Sequence, residues 1–298
     1  MATALTTAPR GPSPVVRKQP TTSSVAPKRS KSLVIYFIAL VLIGLMLTPV
    51  VFIILGGFRS NSEITVDPSG FPVAWQWQNY VEVLSNPVFW QQVGNSSIAA
   101  ISTTVIVVAL GLMAAFGLAR YSFRGRGLIY AIFAAGLMFP MTVAITPLYI
   151  LVRDLGLTNT LAGVIVPQVA FALPITVIIL VPFLAAIPNE LQEAASIDGC
   201  SRLGFFWRMV IPLSVPGVIT VGILAFIASW NSYMLPLFIL NDPGLFTLPL
   251  GTQVFSSQYS VDTARVLAFT ALSMIPALVF FSLFERRIVG GLTGAVKG

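Results

Sequence analysis

The residues Glu193-Ala194-Ala195-Ser196-Ile197-Asp198-Gly199, followed by Pro212, form the longest soluble-looking helical stretch in an otherwise apolar chain. Pro188 suits a helix start, Glu190 favours the positive N-terminal end and Gly199 supplies a turn residue, which predicts a short helix over 189–198. Ser201 is placed to cap a second helix, in which Phe206, Met209 and Val210 recur at i, i+3 and i+4 until Pro212 interrupts them. The two helices then meet at Gly199. Ala194, Ala195 and Gly199 leave a small-residue surface there, with Glu193 and Asp198 offering charge at its edge. The chemistry of this constellation is non-covalent. It is either a knob that another protein's backbone approaches closely, or an amphipathic hairpin resting on a bilayer surface.

Covalent chemistry has few candidates. With no His and one Cys, the chain cannot build a His-based acid–base pair, a zinc cluster of Cys and His, or an internal disulfide. The glycine-rich run ending in Lys297 fails as a phosphate-binding loop. Val296 stands where the second Gly is needed after Gly291, and Gly298 follows Lys297 in place of the Ser or Thr that would hold magnesium. The chain is expected to be no enzyme and to bind no ATP of its own.

The stretch resembles the EAA loop of ABC importer permeases, whose pattern is EAA, three residues, Gly, nine residues, Ile, any residue, Leu-Pro. Glu193, Ala194, Ala195, Gly199 and Pro212 match in place, with Met209 for Ile and Ile211 for Leu. Trp77-Gln78-Asn79-Tyr80, Asn95-Ser96, Trp230-Asn231 and Thr247-Leu248-Pro249-Leu250-Gly251 resemble phrases of the sugar-transporting members. The segment 291–298 resembles the tail of the smaller membrane subunit of maltose-type carbohydrate permeases, although Glu285 stands where such tails commonly have Gln. The resemblance spans 33–298. It implies a bacterial inner-membrane subunit that forms a sugar pathway with a second homologous permease chain. It further implies two ATPase subunits or domains, which bind the ATP and magnesium, and an extracytoplasmic sugar-binding protein. In such a complex Glu193, Ala194, Ala195, Asp198, Gly199 and Pro212 would sit in a groove of the ATPase and pass its closure to the membrane helices.

The elements that must position this hairpin are apolar. Hydrophobic residues make up 56% and charged residues 9% of the chain, and mean hydropathy is +0.89, which suits membrane lipid and no ordinary soluble domain. Six stretches free of Asp, Glu, Lys and Arg, at 33–57, 96–119, 128–151, 161–187, 215–240 and 266–284, are each long enough to cross about 30 Å of hydrocarbon. This predicts an all-α protein of six transmembrane helices over 32–298, with the EAA loop at 188–212 between spans 4 and 5. Residues 1–31, rich in Pro, Ser and Thr with six basic and no acidic residues, read as a disordered basic cytoplasmic tail. The same composition fits an organellar transit peptide.

Charge sets the orientation. With both termini cytoplasmic, 14 of the 17 basic residues lie inside, and the net charge of +7 divides into +10 inside and −3 outside. The hairpin then faces the cytoplasm, where ATP is. Nothing points to nucleic acid as a partner.

The spans carry no full charge, which argues against a proton- or ion-coupled carrier and suits a neutral solute. Pro140 and Pro147 interrupt the third span, and such breaks either line a path or are simple kinks. In the fifth span, read as continuous, Trp230 and Asn231 lie about 4 to 5 Å outward of the bilayer centre. Asn231 needs a partner there, either a helix neighbour or a solute hydroxyl, with Trp230 offering an apolar face to a sugar ring. Two other classes remain open. A permease for a polyamine, opine or phosphonate shares the hairpin but calls for charged pathway residues. A non-transporting scaffold accounts for the spans but not for the hairpin and tail together.

Overall fold

The computed structural model describes residues 29–255 and 261–296, with side chains described for 34–255 and 261–283. Most of the basic tail therefore lies outside the described residues. Residues 29–31, counted with that tail, already belong to the first helix, α1 (Arg29–Gly56). The chain divides into one unit ending at Thr48 and a second from Pro49 onward. In the first unit Tyr36, Phe37, Leu40, Leu45 and Met46 are all exposed, so the helix is apolar all round, as a lipid-facing span is.

The second unit is helical throughout its described elements. After α1 come α2 (Asn61–Val66) and α3 (Trp77–Ser85), then the long α4 (Pro87–Arg120). Next are α5 (Arg126–Gly136), α6 (Met141–Asp154), α7 (Leu161–Ala185) and α8 (Asn189–Ile197). Then α9 (Arg202–Phe205), a π-helical turn at 206–210 and α10 (Ile211–Leu213) lead into α11 (Val215–Trp230), α12 (Met234–Ile239), α13 (Leu248–Gly251) and α14 (Thr263–Val296). Among the described residues four helices are long and apolar enough to cross a membrane, or up to six if each of two bent pairs is one span. The core forms where α4 packs along α7 and α11, and α11 along α14. Small residues permit the approach: a Cβ on Gly111 of α4 would stand 2.4 Å from Thr176 of α7.

The bends have local causes: the third stretch breaks at Pro140 as expected, with Pro147 kept inside α6, and a break that was not expected divides the fifth. The third stretch turns by 102° between α5 and α6. Pro140 has no N–H to continue a helix and pushes Phe139 away from the helical region, so α5 ends at Gly136 and Pro140 stands at the N-cap of α6. The fifth stretch is not one helix over 215–240 either. α11 stops at Trp230, because the ring of Pro236 removes a donor and crowds the carbonyl four residues earlier, and the chain restarts as α12. Pro212 and Pro216 flank a third bend, of 77°, at Ser214, which separates the hairpin's second helix from α11.

Phrases quoted separately from the sequence meet in space. Asn95 Nδ2 donates to the carbonyls of Gly244 and Phe246 at 2.9 and 3.0 Å, and Ser96 Oγ accepts from Leu248 N at 2.7 Å. Asn79 Nδ2 donates to the carbonyls of Gly57 and Arg59, and Tyr80 Oη to that of Ile54. At the same end Arg265 pairs with Glu82 at 2.6 Å and with Asp262 at 3.0 Å, and Asn61 Nδ2 donates to Asp262. The charge count had put all of these ion-pair residues on one side of the membrane.

Gly57 sits where this end closes. A Cβ there would stand 2.5 Å from the Tyr80 hydroxyl and 2.8 Å from the Ala268 backbone. Gly57→Ala should therefore cost about 1–3 kcal/mol, read as a lowered melting temperature of the detergent-solubilised chain. Gly94→Ala, where nothing lies within 4 Å, serves as the control and should melt no lower than the parent.

Candidate functional site

The hairpin is built as its residues dictate. Pro188 stands at the N-cap of α8 in extended conformation, Glu190 lies in the first turn and Asp198 closes the helix. Gly199 follows at φ +75°, the left-handed region, with its N–H on Ser196 O at 3.1 Å and Cys200 N–H on Ala195 O at 2.8 Å. This pair of bonds is a Schellman closure, which satisfies carbonyls that α8 would otherwise leave open. Ser201 Oγ then caps α9 by accepting from Gly204 N at 3.1 Å. Past Phe205 the helix widens into a π turn, in which Ile211 N–H reaches back to Phe206 O. Pro212 explains the widening: it supplies no N–H, and its ring presses on the carbonyl four residues before it.

The two faces of the hairpin differ. Inward, Phe205, Phe206 and Val210 are buried against Leu112 and Phe116 of α4 and Leu180 and Leu184 of α7, with Ala195 and Met209 packed beside them. Outward, Glu193, Ala194, Asp198, Gly199 and Pro212 are exposed, beside Ile197 at 87% and Trp207 at 66% exposure. Neither Glu193 nor Asp198 has a side-chain hydrogen bond or ion pair among the described residues.

A residue that the motif does not include holds this arrangement. Arg120, the last residue of α4, donates from Nη1 to Ile187 O at 2.6 Å and from Nε to Gln192 Oε1 at 2.9 Å, with its guanidinium 5.9 Å from the centre of the Phe205 ring. One planar fork thereby ties the end of α4, the exit of α7, α8 and α9 together. Next to it Arg202 lies over the Tyr121 ring at 5.0 Å. In the sequence Arg120 is simply the first residue after the second apolar stretch, 96–119. Pairing across 72 residues leaves no local signal.

Below the bends lies a cavity of about 620 Å³ between α6, α7 and α11, continuing to the break before α12. Met141 and Thr142, just after the Pro140 bend, line it, whereas Pro140 itself is an exposed N-cap outside the wall. Asn231 lines this cavity and also a second one, of about 410 Å³, between α11, α13 and α14. Asn231 is exposed and its side chain makes no hydrogen bond among the described residues. Trp230 borders the second cavity only. It is 4% exposed and stacked on Phe226 at 5.7 Å, a member of the core in this conformation. The structure therefore separates the pair: Asn231 reaches both cavities and Trp230 one.

The first cavity has a polar floor. Gln168 of α7, 7% exposed, accepts at Oε1 from Thr103 Oγ1 of α4 at 3.1 Å and from Ser229 Oγ of α11 at 2.6 Å. Its residue type carried a signal, since Gln168 and Asn231 are the two side-chain amides within the six apolar stretches. Their convergence on one cavity is a tertiary fact.

Comparison with known proteins fits this architecture. Residues 107–289 match the family model for the inner membrane component of binding-protein-dependent transport systems. The diacetylchitobiose uptake system permease protein of Streptomyces coelicolor is 34% identical over 84% of this chain and 83% of its own length. The trehalose transport system permease protein of Mycobacterium tuberculosis is 36% identical over 86% of this chain and 94% of its own. A chain of a bacterial ABC transporter involved in import of the acidic polysaccharide alginate superposes with a TM-score of 0.72 at 22% identity, covering 87% of this chain and 98% of that one, so the fold is shared. The match runs from α4 into α14, through the hairpin and the cavity walls, and the chain belongs to the family of binding-protein-dependent transport system inner membrane components.

Proposed function

We propose that this chain is the permease subunit of an ATP-driven importer for a neutral carbohydrate, a di- or oligosaccharide, and that the hairpin at 188–212 couples it to the ATPases. The observation that carries this reading is the two-sided hairpin. Its inner face is fixed to α4 and α7, while its outer face presents exposed and unpartnered Glu193 and Asp198 around Ala194 and Gly199. A surface of this kind transmits a push from a docked partner into the helices it is bolted to. The sugar follows from the relatives named for diacetylchitobiose and trehalose, together with cavity walls that contain no Asp, Glu, Lys or Arg. The pathway is proposed to run past Asn231 and the bend at Pro140, with Trp230 on the wall of the second cavity.

The remaining parts of the machine belong to partners. Two ATPase subunits bind ATP and magnesium, a second permease chain completes the path, and an extracytoplasmic binding protein delivers the sugar. The chain itself carries no cofactor. The charge distribution supports both termini on the cytoplasmic side. ATP favours one arrangement of the ATPase pair, and docking makes that preference a difference in stability between inward- and outward-facing permeases.

The complex is tested by tagging the chain, extracting it gently from its native membrane and identifying what accompanies it by mass spectrometry. A second six-span chain and a P-loop ATPase are expected, with uptake of labelled trehalose or N,N′-diacetylchitobiose by the intact cells. An intact chain without any ATPase, even after crosslinking in the membrane, would instead favour a scaffold.

Gly199 tests the docking turn. Open space surrounds its Cβ position, so within this chain a side chain costs backbone strain rather than a clash, on the order of 1–2 kcal/mol. Gly199→Leu, which adds bulk on the outer face as well, should abolish uptake while the chain stays in the membrane. Gly199→Asn, better suited to positive φ, should retain more of it.

Arg120 tests transmission. Arg120→Met, which keeps much of the apolar stem, should lower uptake roughly tenfold, as loss of a charge-assisted hydrogen bond implies. Arg120→Lys should rescue only part, because a single ammonium cannot reproduce the planar fork. Equal uptake in all three chains at equal membrane levels would remove Arg120 from the coupling path.

A further inference from the structure

Several hydroxyls of the spanning helices are turned back on their own backbone, and those at the cavity floor are not. Ser97, Thr104, Thr176, Thr220, Thr270 and Ser273 each donate to the carbonyl four residues earlier in their own helix, at 2.7 to 2.9 Å. That bond costs nothing in partners and hides the hydroxyl. Thr103 and Ser229 instead cross to another helix and converge on the single oxygen Gln168 Oε1. The amide oxygen is thus doubly engaged, which fixes the orientation of the side chain and leaves Nε2 as its free end.

Nε2 makes no hydrogen bond among the described residues, yet it is not one of their sealed, unpartnered atoms, as both polar atoms of Gln92 are. It is therefore not fully covered, and it belongs to a side chain on the cavity wall. An amide presenting two unused donors at membrane depth is expensive unless something accepts from it. The remaining wall is mostly apolar, with the rings of Phe171 and Tyr233, and Thr142, Thr176, Asn231 and Ser232 add a few polar groups to it. A few placed polar groups on an apolar wall enclosing about 620 Å³ is the form of a small-molecule site.

We propose that Gln168 is the hydrogen-bond donor of a sugar subsite in this chain, held by Thr103 and Ser229, and that the cavity between α6, α7 and α11 takes one end of a neutral, hydroxyl-bearing solute of disaccharide size. The assignment rests on the carbohydrate-importer reading above and adds which residues touch the sugar. A sugar hydroxyl accepts from Nε2 and the apolar face of the ring lies against the aromatic wall. The absence of charged side chains from that wall selects against ionic solutes. Thr103 and Ser229 are positioning residues, acting through the amide they orient.

The test reads the cavity directly in the assembled transporter in native membranes. Cys200, the one native thiol, is changed to Ser, and Thr142→Cys places a reporter on the α6 wall. The reporter should react with a hydrophilic methanethiosulfonate reagent. Trehalose or N,N′-diacetylchitobiose, whichever the uptake assay selects, should slow that reaction. Adding Gln168→Leu should raise the sugar concentration needed for protection roughly tenfold, while membrane level and the labelling rate without sugar stay unchanged. Failure of the reporter to react would mean protein or lipid fills the space, and labelling that no sugar slows would mean a wet cavity without a subsite; either result overturns the assignment and leaves the importer reading standing. Protection unaltered by Gln168→Leu overturns the role of Gln168. If neither disaccharide enters cells, the carbohydrate reading itself fails and the subsite with it.

Discussion

Hydrocarbon offers no hydrogen bonds, so a chain that crosses it must satisfy every backbone N–H and C=O internally. The architecture follows from that constraint. Apolar stretches become helices because no other open structure pairs its own backbone, and a break is tolerated only where protein or water can serve the freed groups. The breaks here are few and proline-driven, near Pro140, Pro212 and Pro236. Two of them open onto the larger cavity, through Thr142 after the first and Asn231 before the last. The third, at Ser214, turns the chain out of α11 toward the hairpin. Proline thus marks both where the helices open onto the larger cavity and where the hairpin departs from α11.

Side-chain polarity obeys the same constraint. Ser97, Thr104, Thr176, Thr220, Thr270 and Ser273 are bonded to their own backbone, which occupies their donors. Against that background the convergence of Thr103 and Ser229 on Gln168 has a direction. Charges are kept to the ends of the bundle, where some are held by neighbours: Arg265 between Glu82 and Asp262 at one end, Arg120 over the carbonyl of Ile187 at the other. The interior is left neutral, which a path for an uncharged solute requires and a path for an ion does not.

The hairpin joins these two regions mechanically. Phe205, Phe206 and Val210 sit in the same apolar cluster as Leu112 and Leu180, which lie on the helices that also carry Thr103 and Gln168. In the proposed coupling a displacement at α8 would act on α4 and α7 through this cluster. The π turn before Pro212 and the left-handed Gly199 fix the two ends of this lever.

The amino-acid sequence by itself determined the class and most of the local architecture, because the forces involved are local or compositional. Hydropathy specified the apolar stretches, the spacing from Glu193 to Pro212 specified the hairpin, and Pro188, Gly199 and Ser201 specified where its helices start and stop. Continuity across 215–240 was misjudged, and of the two prolines expected to interrupt 128–151 only Pro140 does, since composition measures apolarity and says little of which proline bends a helix by 102° and which, like Pro147 inside α6 or Pro174 inside α7, does not end it. Only the tertiary structure decided the contacts between distant residues: Arg120 on Gln192, Asn95 on the loop before Leu248, and Gln168 between Thr103 and Ser229. Those pairings join residues 61 to 151 positions apart, and no periodicity in a single sequence encodes them. They exist because helix packing brings particular faces together, and packing is where the unpartnered end of Gln168 acquired a cavity to face.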